Sequence, residues 1–565
     1  MRAIQISILL LFGFLQTVSG QFSNHLNVGF ESSLIWYNDD PKTGDFYDDV
    51  SRSGEEHLRS NNYLKLDYNF YEFLSASIQV ESYSPLALLN FSPNYDNTNI
   101  GTYSIRYKQG KIDATAGYYY TQFGSGLILR SWEDRELGLN NALRGGIITY
   151  MPMEDLSVTA LYGKHRVGFK TSNGNIFGVD LILNLSNRLG WETTQMNFGA
   201  SYVGRQEKLE LENPGFDELT NAFSSRFDLS LGSFYAGLEY VLKGKDGIAF
   251  RNSFDNYFVK PGSAILINAG FTGEGFGADL TMRRLENMSF FSDRLKKGNI
   301  YNENVVNFIP ALTKQQDFSL ANIYVYQPQF SVLFLAENLV KVGEIGGQLD
   351  LFYKIKKGTP LGGAYGTSLA LNTSYWAGLK NTSVFPNPDA GITANYHAEP
   401  LGFGTKYFSD FNFEIRKKWS SNWLTNTFFM TQNYNKRYLE DSAIEIVRAK
   451  IAAMDAIYKM SDGKSAKIEI QHLWAKEDKK NWAGGTLEYN FSPRLSLYVN
   501  DLYNYGNDHQ DQRIHYYNFG GSISKGSNRL SLNYGRQRGG LLCVGGVCRI
   551  VSESTGLTAN LSISF

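Results

Sequence analysis

Charged side chains of both signs are concentrated between residues 130 and 144. The set comprises Arg130, Glu133, Asp134, Arg135, Glu136 and Arg144. Held in a narrow passage, such a mixture could select or bind a charged solute. The same stretch carries five aliphatic residues, too many for a loop surrounded by water: Leu127, Ile128, Leu129, Leu137 and Leu139. Gly124 and Gly126 permit close backbone approach or unusual dihedral angles, so the segment is predicted to fold against other parts of the chain.

The two cysteines, Cys543 and Cys548, are separated by four residues with Gly-Gly at the centre. This spacing brings both Cα atoms within disulfide range across a turn. Two cysteines do not complete a tetrahedral zinc site, and no histidine lies near them in sequence. The alternative of a reactive redox pair lacks a C-x-x-C motif. We predict a structural disulfide at the tip of the last hairpin, worth about 2 kcal/mol because the loop is short.

Motifs for metal, cofactor or enzymatic chemistry are weak. The seven histidines form no H-x-H or H-x-x-x-H pair, and the acidic stretch 38–58 lacks the order of an EF-hand. There is no G-x-S-x-G elbow or Walker loop, and His165 is seven residues from Ser172. The sequence therefore predicts no metal, no cofactor and no enzymatic activity. A formal net charge of −1 gives no reason to expect nucleic acid as a partner.

The elements that would position these residues are strands with one apolar and one polar face. In the last ten residues the apolar side chains are Leu557, Ala559, Leu561, Ile563 and Phe565, with polar residues between them. Successive side chains of a strand point to opposite faces, and about ten tilted residues cross a bilayer. Phe565 resembles the terminal aromatic residue that serves as an insertion signal in outer-membrane barrels. The alternative is the edge of a soluble sandwich, but similar segments recur along the chain and favour a barrel.

Composition indicates the same class. Aromatic residues make up 15% of the 565-residue chain, whereas only 13 residues are proline. After residue 20 no apolar run is long enough for a transmembrane helix, which excludes a helical membrane protein. Residues 1–20 have a positive start, an apolar core and a small-residue exit, and are predicted to be a secretory signal peptide. Residues 21–565 would then form the barrel.

Turn lengths alternate along the chain, which predicts short periplasmic turns and long extracellular loops. The tight links are at 108–111, 151–154, 231–233, 272–275, 420–422, 492–493 and 525–528. The long stretches are at 38–58, 84–98, 121–141, 206–220, 244–261, 286–340 and 376–403. The predicted fold is all-β, a single large antiparallel transmembrane β-barrel of about 24 strands (range 22–26). Residues 443–460 also show helical spacing, and a strand is preferred there because it keeps the strand number even.

A barrel of this size encloses a lumen too wide for wall side chains to fill. One hypothesis is that residues 120–146 fold inward, so that their charges line a constriction. The residues concerned are Arg130, Glu133, Asp134, Arg135 and Arg144. The alternative is a charged cap on the rim, whose exposed ion pairs contribute little to stability. The sequence leaves both arrangements open.

Three blocks, at 123–146, 356–372 and 535–557, together resemble an outer-membrane β-barrel family of Bacteroidota, a domain of unknown function. The resemblance extends from the signal peptide to Phe565. It implies a location and a fold. No activity is attached to it, so no functional residue is transferred.

These observations predict an outer-membrane protein of a Gram-negative bacterium, a porin-like channel or a transporter for a small solute. The alternative is a non-conducting scaffold subunit of an outer-membrane secretion or assembly complex, plugged chiefly by residues 121–146 and 286–340. The expected partners are outer-membrane lipid and lipopolysaccharide, the barrel-assembly machinery during insertion, and a possible outer-membrane protein.

Overall fold

The computed structural model describes most of the chain. Described are residues 25–43, 57–85, 87–89, 94–95, 97–208, 216–250, 253–294, 304–336, 339–387, 390, 392, 394–544 and 546–564, with backbone alone for 248–250, 253–258, 542 and 544. The predicted signal peptide at residues 1–20 and the predicted insertion signal Phe565 lie outside the described residues.

Twenty-four antiparallel strands form one sheet that closes on itself. The strands are β1 Leu26–Asn38, β2 Leu58–Tyr71, β3 Leu74–Ser82, β4 Thr98–Gln109, β5 Ile112–Tyr119, β6 Leu143–Met153, β7 Leu156–Val167, β8 Asn175–Asn184, β9 Thr194–Gln206, β10 Leu219–Leu231, β11 Phe234–Phe250, β12 Ser253–Gly273, β13 Phe276–Glu286, β14 Gly343–Ile355, β15 Thr367–Val384, β16 Asn395–Lys418, β17 Trp423–Asn435, β18 Ile446–Lys459, β19 Ser465–Ala475, β20 Trp482–Ser492, β21 Leu495–Tyr503, β22 His515–Lys525, β23 Asn528–Gln537 and β24 Ser554–Ser564. Pairing of β1 with β24, from Gly29 opposite Ser564 to Asn38 opposite Thr555, closes the barrel. The predicted barrel of about 24 strands is confirmed.

The outer surface of the barrel is apolar. On β2, Leu64 and Tyr68 are exposed, whereas Lys65 and Asp67 between them line a cavity inside the barrel. Exposed aromatic side chains near the ends of the strands are Tyr71, Phe73, Phe234, Trp419, Trp423 and Phe491 at one end, and Trp36, Phe223 and Trp474 at the other. Such aromatic girdles mark the two interfaces of a membrane. Within the described ranges, no helix is long and apolar enough to span a bilayer.

All seven predicted tight links connect neighbouring strands at one end of the barrel, here called the turn end. The longer connections lie at the opposite end, the loop end. Two predicted loops are largely strand: β11 and β12 extend through much of 244–261, and β15 and β16 through much of 376–403. The prediction of loops was wrong there because the sequence is polar. Strands that continue beyond the bilayer pair through their backbones whatever their side chains.

The ambiguous segment Ala443–Met460 contains the strand β18, as preferred from the sequence. Short helices occupy two connections, α1 at Leu185–Leu189 and α2 at Lys436–Glu440. Single turns of 3-10 helix lie at Ser319–Asn322, Ser461–Gly463 and Gln510–Gln512.

An ion pair ties the residues after β1 to the last two strands. The Arg536 guanidinium donates to Asp40 at 2.6 and 2.9 Å, and Thr555 Oγ1 donates to Asp40 at 2.8 Å. Burial by itself would raise the pKa of the Asp40 carboxyl, but the hydrogen bonds from Arg536 and Thr555 outweigh it and hold the pKa at about 2. The carboxylate therefore stabilises the closed seam at neutral pH.

Replacing Asp40 by Asn is expected to lower the free energy of unfolding by about 1–2 kcal/mol at pH 6. The native pKa is depressed, so the wild-type advantage is present above the unfolded-state value of about 4 and is lost as the pH falls through that value toward 2. Urea titrations of both proteins in detergent micelles at pH 6 and pH 2.5 measure the difference. An equal difference at both pH values would contradict a role for the charge.

Candidate functional site

The inner wall of the barrel changes character along its height. Toward the loop end the inward side chains are apolar and buried; they include Leu161, Val203, Val241, Trp376, Phe408, Phe428, Ile451 and Leu473. Strand β18 shows the change within one element. Val447, Ala449, Ile451 and Ala453 are buried and apolar, and Asp455 is the next inward residue toward the turn end. We call this belt of apolar inward side chains the socket. An apolar inner wall is stable only when other apolar groups pack against it and exclude water.

One partner is the first plug loop, residues 120–142. Its two short hairpins pair Thr121–Phe123 with Leu129–Ser131, and Glu133–Asp134 with Leu139–Asn140. Ile128 and Leu129 are completely buried against the wall and the second loop described below. The backbone approaches the wall closely at Gly124 (φ 56°), where an added Cβ would lie 2.4 Å from Arg226 Cδ. The loop therefore folds into the lumen.

The other partner is the second plug loop, residues 287–342, which runs beside the first. Val306 O accepts a hydrogen bond from Arg130 N at 2.9 Å, and Phe308 N donates to Gly126 O at 2.8 Å. Farther along, Leu320 N donates to Gln471 Oε1 at 2.9 Å on β19. These contacts carry the loop across a barrel that would measure roughly 48 Å between opposite backbones if it were circular, given 24 strands ~4.8 Å apart and tilted by ~40°.

A buried ionic network fixes the second plug loop to β9 and β11. Arg294 Nε donates to Asp246 Oδ1 at 2.8 Å, and Arg205 donates to the same oxygen at 2.7 Å. The Arg294 backbone N–H donates to the Glu207 carboxylate at 3.2 Å. All four side chains are at most 4% exposed. Buried charges persist only when they are paired and hydrogen-bonded, so the network holds the loop in one position.

A second anchor is built on Glu344, at the start of β14. Its carboxylate accepts hydrogen bonds from Arg283 at 2.7 Å, from the Tyr326 hydroxyl at 2.5 Å and from Gln329 N at 2.6 Å. Burial raises the pKa of the Tyr326 hydroxyl, which therefore stays protonated and donates. Arg283 also donates to Pro310 O at 2.7 Å, so one buried pair of wall residues holds three points of the plug loop.

The predicted disulfide between Cys543 and Cys548 is present, with an S–S distance of 2.08 Å. It joins Gly540–Val544 to Val547–Val551 in a structure we call the disulfide hairpin. The hairpin tip rests on the second plug loop: Ala311 N donates to Gly546 O at 2.9 Å, and Gln315 Nε2 donates to Cys543 O at 2.9 Å. The cross-linked hairpin thus covers the plug from the loop end.

Two of the charged residues identified from the sequence, Glu133 and Arg135, lie together on the side of the first plug loop that faces the turn end. Arg135 pairs with Glu31 at 2.5 Å and donates to Gln79 Oε1 at 2.9 Å. Gln79 in turn donates to Glu133 at 3.1 Å, and Arg135 lies 3.6 Å from Glu133. This cluster faces a polar cavity of about 700 Å³ lined in part by Lys65, Asp67, Ser77, Thr102, Arg106 and Thr115. The cavity is part of the polar half of the lumen on the side of the turn end, here called the vestibule.

The other three residues of the hypothetical constriction, Arg130, Asp134 and Arg144, are placed separately. The Arg130 guanidinium stacks 3.8 Å from the ring centre of Phe308, and burial lowers its pKa. Asp134 accepts a hydrogen bond from Leu137 N at 2.8 Å and forms a turn. Arg144 is exposed, while the preceding Leu143 packs against the plug, so Arg144 points to the outer face of the wall. The structure therefore brings Glu133 and Arg135 together but not the whole set.

The anchoring residues Asp246, Arg294 and Glu344 were not identified from the sequence. The burial of the second plug loop, however, could have been predicted from its sequence. Residues 318–330 contain Phe318, Leu320, Tyr324, Tyr326 and Phe330 within a stretch taken for a polar loop. This density of large apolar side chains is unusual for a solvated loop and is typical of a buried one. In the part of the chain that the structure describes, no three His, Cys, Asp or Glu side chains are grouped as a metal site.

Solved structures with a similar arrangement are β-barrels, at low sequence identity. The siderophore receptor PirA from Pseudomonas aeruginosa matches 97% of this chain and 81% of its own, with 9% identity and a TM-score of 0.40. The BenF-like porin from Pseudomonas fluorescens Pf-5 matches 86% and 99%, with 9% identity and a TM-score of 0.34. The P pilus usher PapC translocation pore matches 96% and 99%, with 8% identity and a TM-score of 0.40.

No curated protein matches the chain. A family model does, over residues 1–565, and its description is a family of unknown function, DUF6029. Because the match covers the whole chain, this protein is a member of the DUF6029 family.

Proposed function

We propose that the protein is a gated transporter of the Gram-negative outer membrane, closed at rest by its own two plug loops. A small solute passes when these loops leave the socket. The observation that carries the proposal is the division of the lumen into an apolar socket filled by loops and a polar vestibule lined by ionised and hydroxyl groups. A polar interior is typical of barrels that admit water and solutes.

The barrel itself supports the location. A closed sheet with an apolar exterior satisfies its backbone groups internally, as a membrane requires. We propose lipopolysaccharide as the lipid at the loop end. Arg144 and Lys164 are opposite each other on β6 and β7, and among the described residues neither has a carboxylate within ion-pair distance. Paired like charges are unfavourable unless an anion such as a lipid phosphate lies between them.

A second candidate is a non-conducting scaffold in an outer-membrane secretion or assembly complex. The buried anchors at Asp246 and Glu344 favour it, because breaking a buried ion pair is costly and a plug held by two of them opens rarely. In either role the barrel-assembly machinery would insert the chain, and a further outer-membrane protein would be a partner of the scaffold. We propose no catalytic step, cofactor or nucleic-acid partner for either role.

Planar bilayer recordings and liposome-swelling assays test the transporter directly. The wild-type protein is expected to show brief openings from a silent baseline and slow uptake of small sugars, because passage requires a transient displacement of the plug. Linking Leu320→Cys to Gln471→Cys should abolish both signals. The two variants that each add one cysteine, treated in the same way, are the controls. Complete silence of the wild type, with a co-purifying membrane protein, would reject the transporter and favour the scaffold.

A further inference from the structure

A partly open cavity of about 250 Å³ lies where the two plug loops meet the disulfide hairpin. Its polar and aromatic lining residues are Trp132, Asn141, Asn307, Phe308, Gln327 and Phe330. Every lining residue belongs to one of these three loops, and the hairpin contributes Gly546, Val547 and Cys548. A molecule held here would touch all the elements that close the lumen at this point.

The chemistry of the lining is aromatic and uncharged. Three rings, those of Trp132, Phe308 and Phe330, are combined with side-chain amides. Among the described residues, none that lines the cavity carries a carboxylate, ammonium or guanidinium group. The Arg130 guanidinium lies 3.8 Å from the ring centre of Phe308 and 4.9 Å from that of Trp132, but it does not line the cavity. Aromatic faces accept apolar C–H groups, whereas amides both donate and accept hydrogen bonds. No charged group lines the cavity among the described residues, and the Arg130 guanidinium is already engaged with the Phe308 and Trp132 rings. The cavity therefore suits a neutral, hydroxyl-bearing ring.

One buried acceptor in this lining is unpaired. Asn307 is 3% exposed; its Nδ2 donates to Met288 O at 2.8 Å, whereas its Oδ1 has no hydrogen-bond partner among the described residues. An unpaired buried acceptor is unfavourable by about 1–3 kcal/mol. A turn of the Asn307 side chain toward the cavity would expose Oδ1, and a ligand hydroxyl that donates to it would then remove this penalty. Gln327, a half-buried residue farther along the second plug loop, contributes another amide to the lining.

We propose that this cavity binds one ring of a neutral saccharide. Its volume is slightly below the roughly 300–1,000 Å³ of sites for drug-sized ligands, so a single ring fits better than a chain. The inference names a substrate class and therefore rests on the proposed transport role for its purpose. Binding is measured without transport, so a protein that binds sugar but carries no flux would refute the transport role alone.

Titration of the full-length protein in detergent with methyl α-glucoside, N-acetylglucosamine or methyl β-galactoside tests the proposal. Tryptophan fluorescence and isothermal calorimetry report binding. At least one of these probes is expected to give a saturable signal. Gln327→Leu should weaken it about tenfold by removing one hydrogen bond, and Trp132→Ala by roughly tenfold or more through loss of the stacking face.

Two matched control variants show whether a loss of sugar binding is specific to the residues that line the cavity. Gln122→Leu changes an exposed amide of the same loop that donates to Gly124 O and does not line the cavity, and Trp191→Ala removes an exposed tryptophan outside the plug. Both should bind as the wild type does. The proposal is overturned if none of the three sugars binds up to 100 mM. It is also overturned if folded Gln327→Leu and Trp132→Ala proteins bind normally, or if glucuronate binds more tightly than the neutral sugars.

Discussion

Replacing residues 287–342 by an Asn-Gly turn is expected to convert a nearly closed barrel into a wide pore. Glu286 and Gly343 are directly paired in the β13–β14 ladder, so a two-residue turn can join them without disturbing the wall. The variant loses Leu320, Tyr326 and the other side chains that fill the socket. A 24-stranded barrel without its main plug should have a single-channel conductance at least roughly ten times that of the wild type.

Single-channel recordings and vancomycin sensitivity of cells expressing the variant measure this opening. The matched control replaces residues 356–366 at the turn end, where Ile355 and Thr367 are paired in the same way. That loop does not enter the lumen, as its Leu361 is 72% exposed, so conductance should not change. If the 287–342 variant folds and still conducts as little as the wild type, the second plug loop is not what closes the barrel.

The wall of this barrel was predictable from sequence because lipid imposes a strict rule on it. Every membrane-crossing strand must be apolar outside, so segments such as Asn62–Phe70 alternate visibly and their number could be counted. The rule weakens where the inner face is apolar too. In β18, Val447 and Ile451 face the socket and Met454 faces outward, which produces apparent helical spacing in what is a strand.

The plug was predictable only in part. The aliphatic content of residues 127–139 indicated that the first plug loop is buried, because water does not solvate such residues favourably. The identity of its contacts was not accessible, since Arg135 meets Glu31 and Gln79 from strands far away in sequence. Arg144 is the second residue of β6, which begins at Leu143 after the plug loop, and its face depends on register, which composition does not reveal.

Replacing Asp246 by Ala is expected to release the second plug loop while leaving the barrel intact. The change leaves Arg205 and Arg294 buried beside each other, and among the described residues Glu207, at 3.6 and 3.5 Å, is the one carboxylate that still pairs with them. Removing one partner from a buried ion pair typically costs about 3–5 kcal/mol. Displacing the loop relieves Arg294, so the equilibrium between docked and displaced loop should shift by more than about 100-fold.

Open probability in planar bilayers measures that shift, and trypsin cleavage after Arg294 reports displacement independently. Asp508→Ala is the matched control, because Asp508 pairs with Lys480 at 2.5 Å but is 70% exposed, and exposed pairs contribute at most about 1 kcal/mol. A combined variant with Asp246→Leu, Arg205→Met, Arg294→Met and Glu207→Gln should close again, since neutral residues of similar size leave no uncompensated charge among these four buried positions. If the single and combined variants open equally, packing around residue 246 holds the plug, and its charge does not.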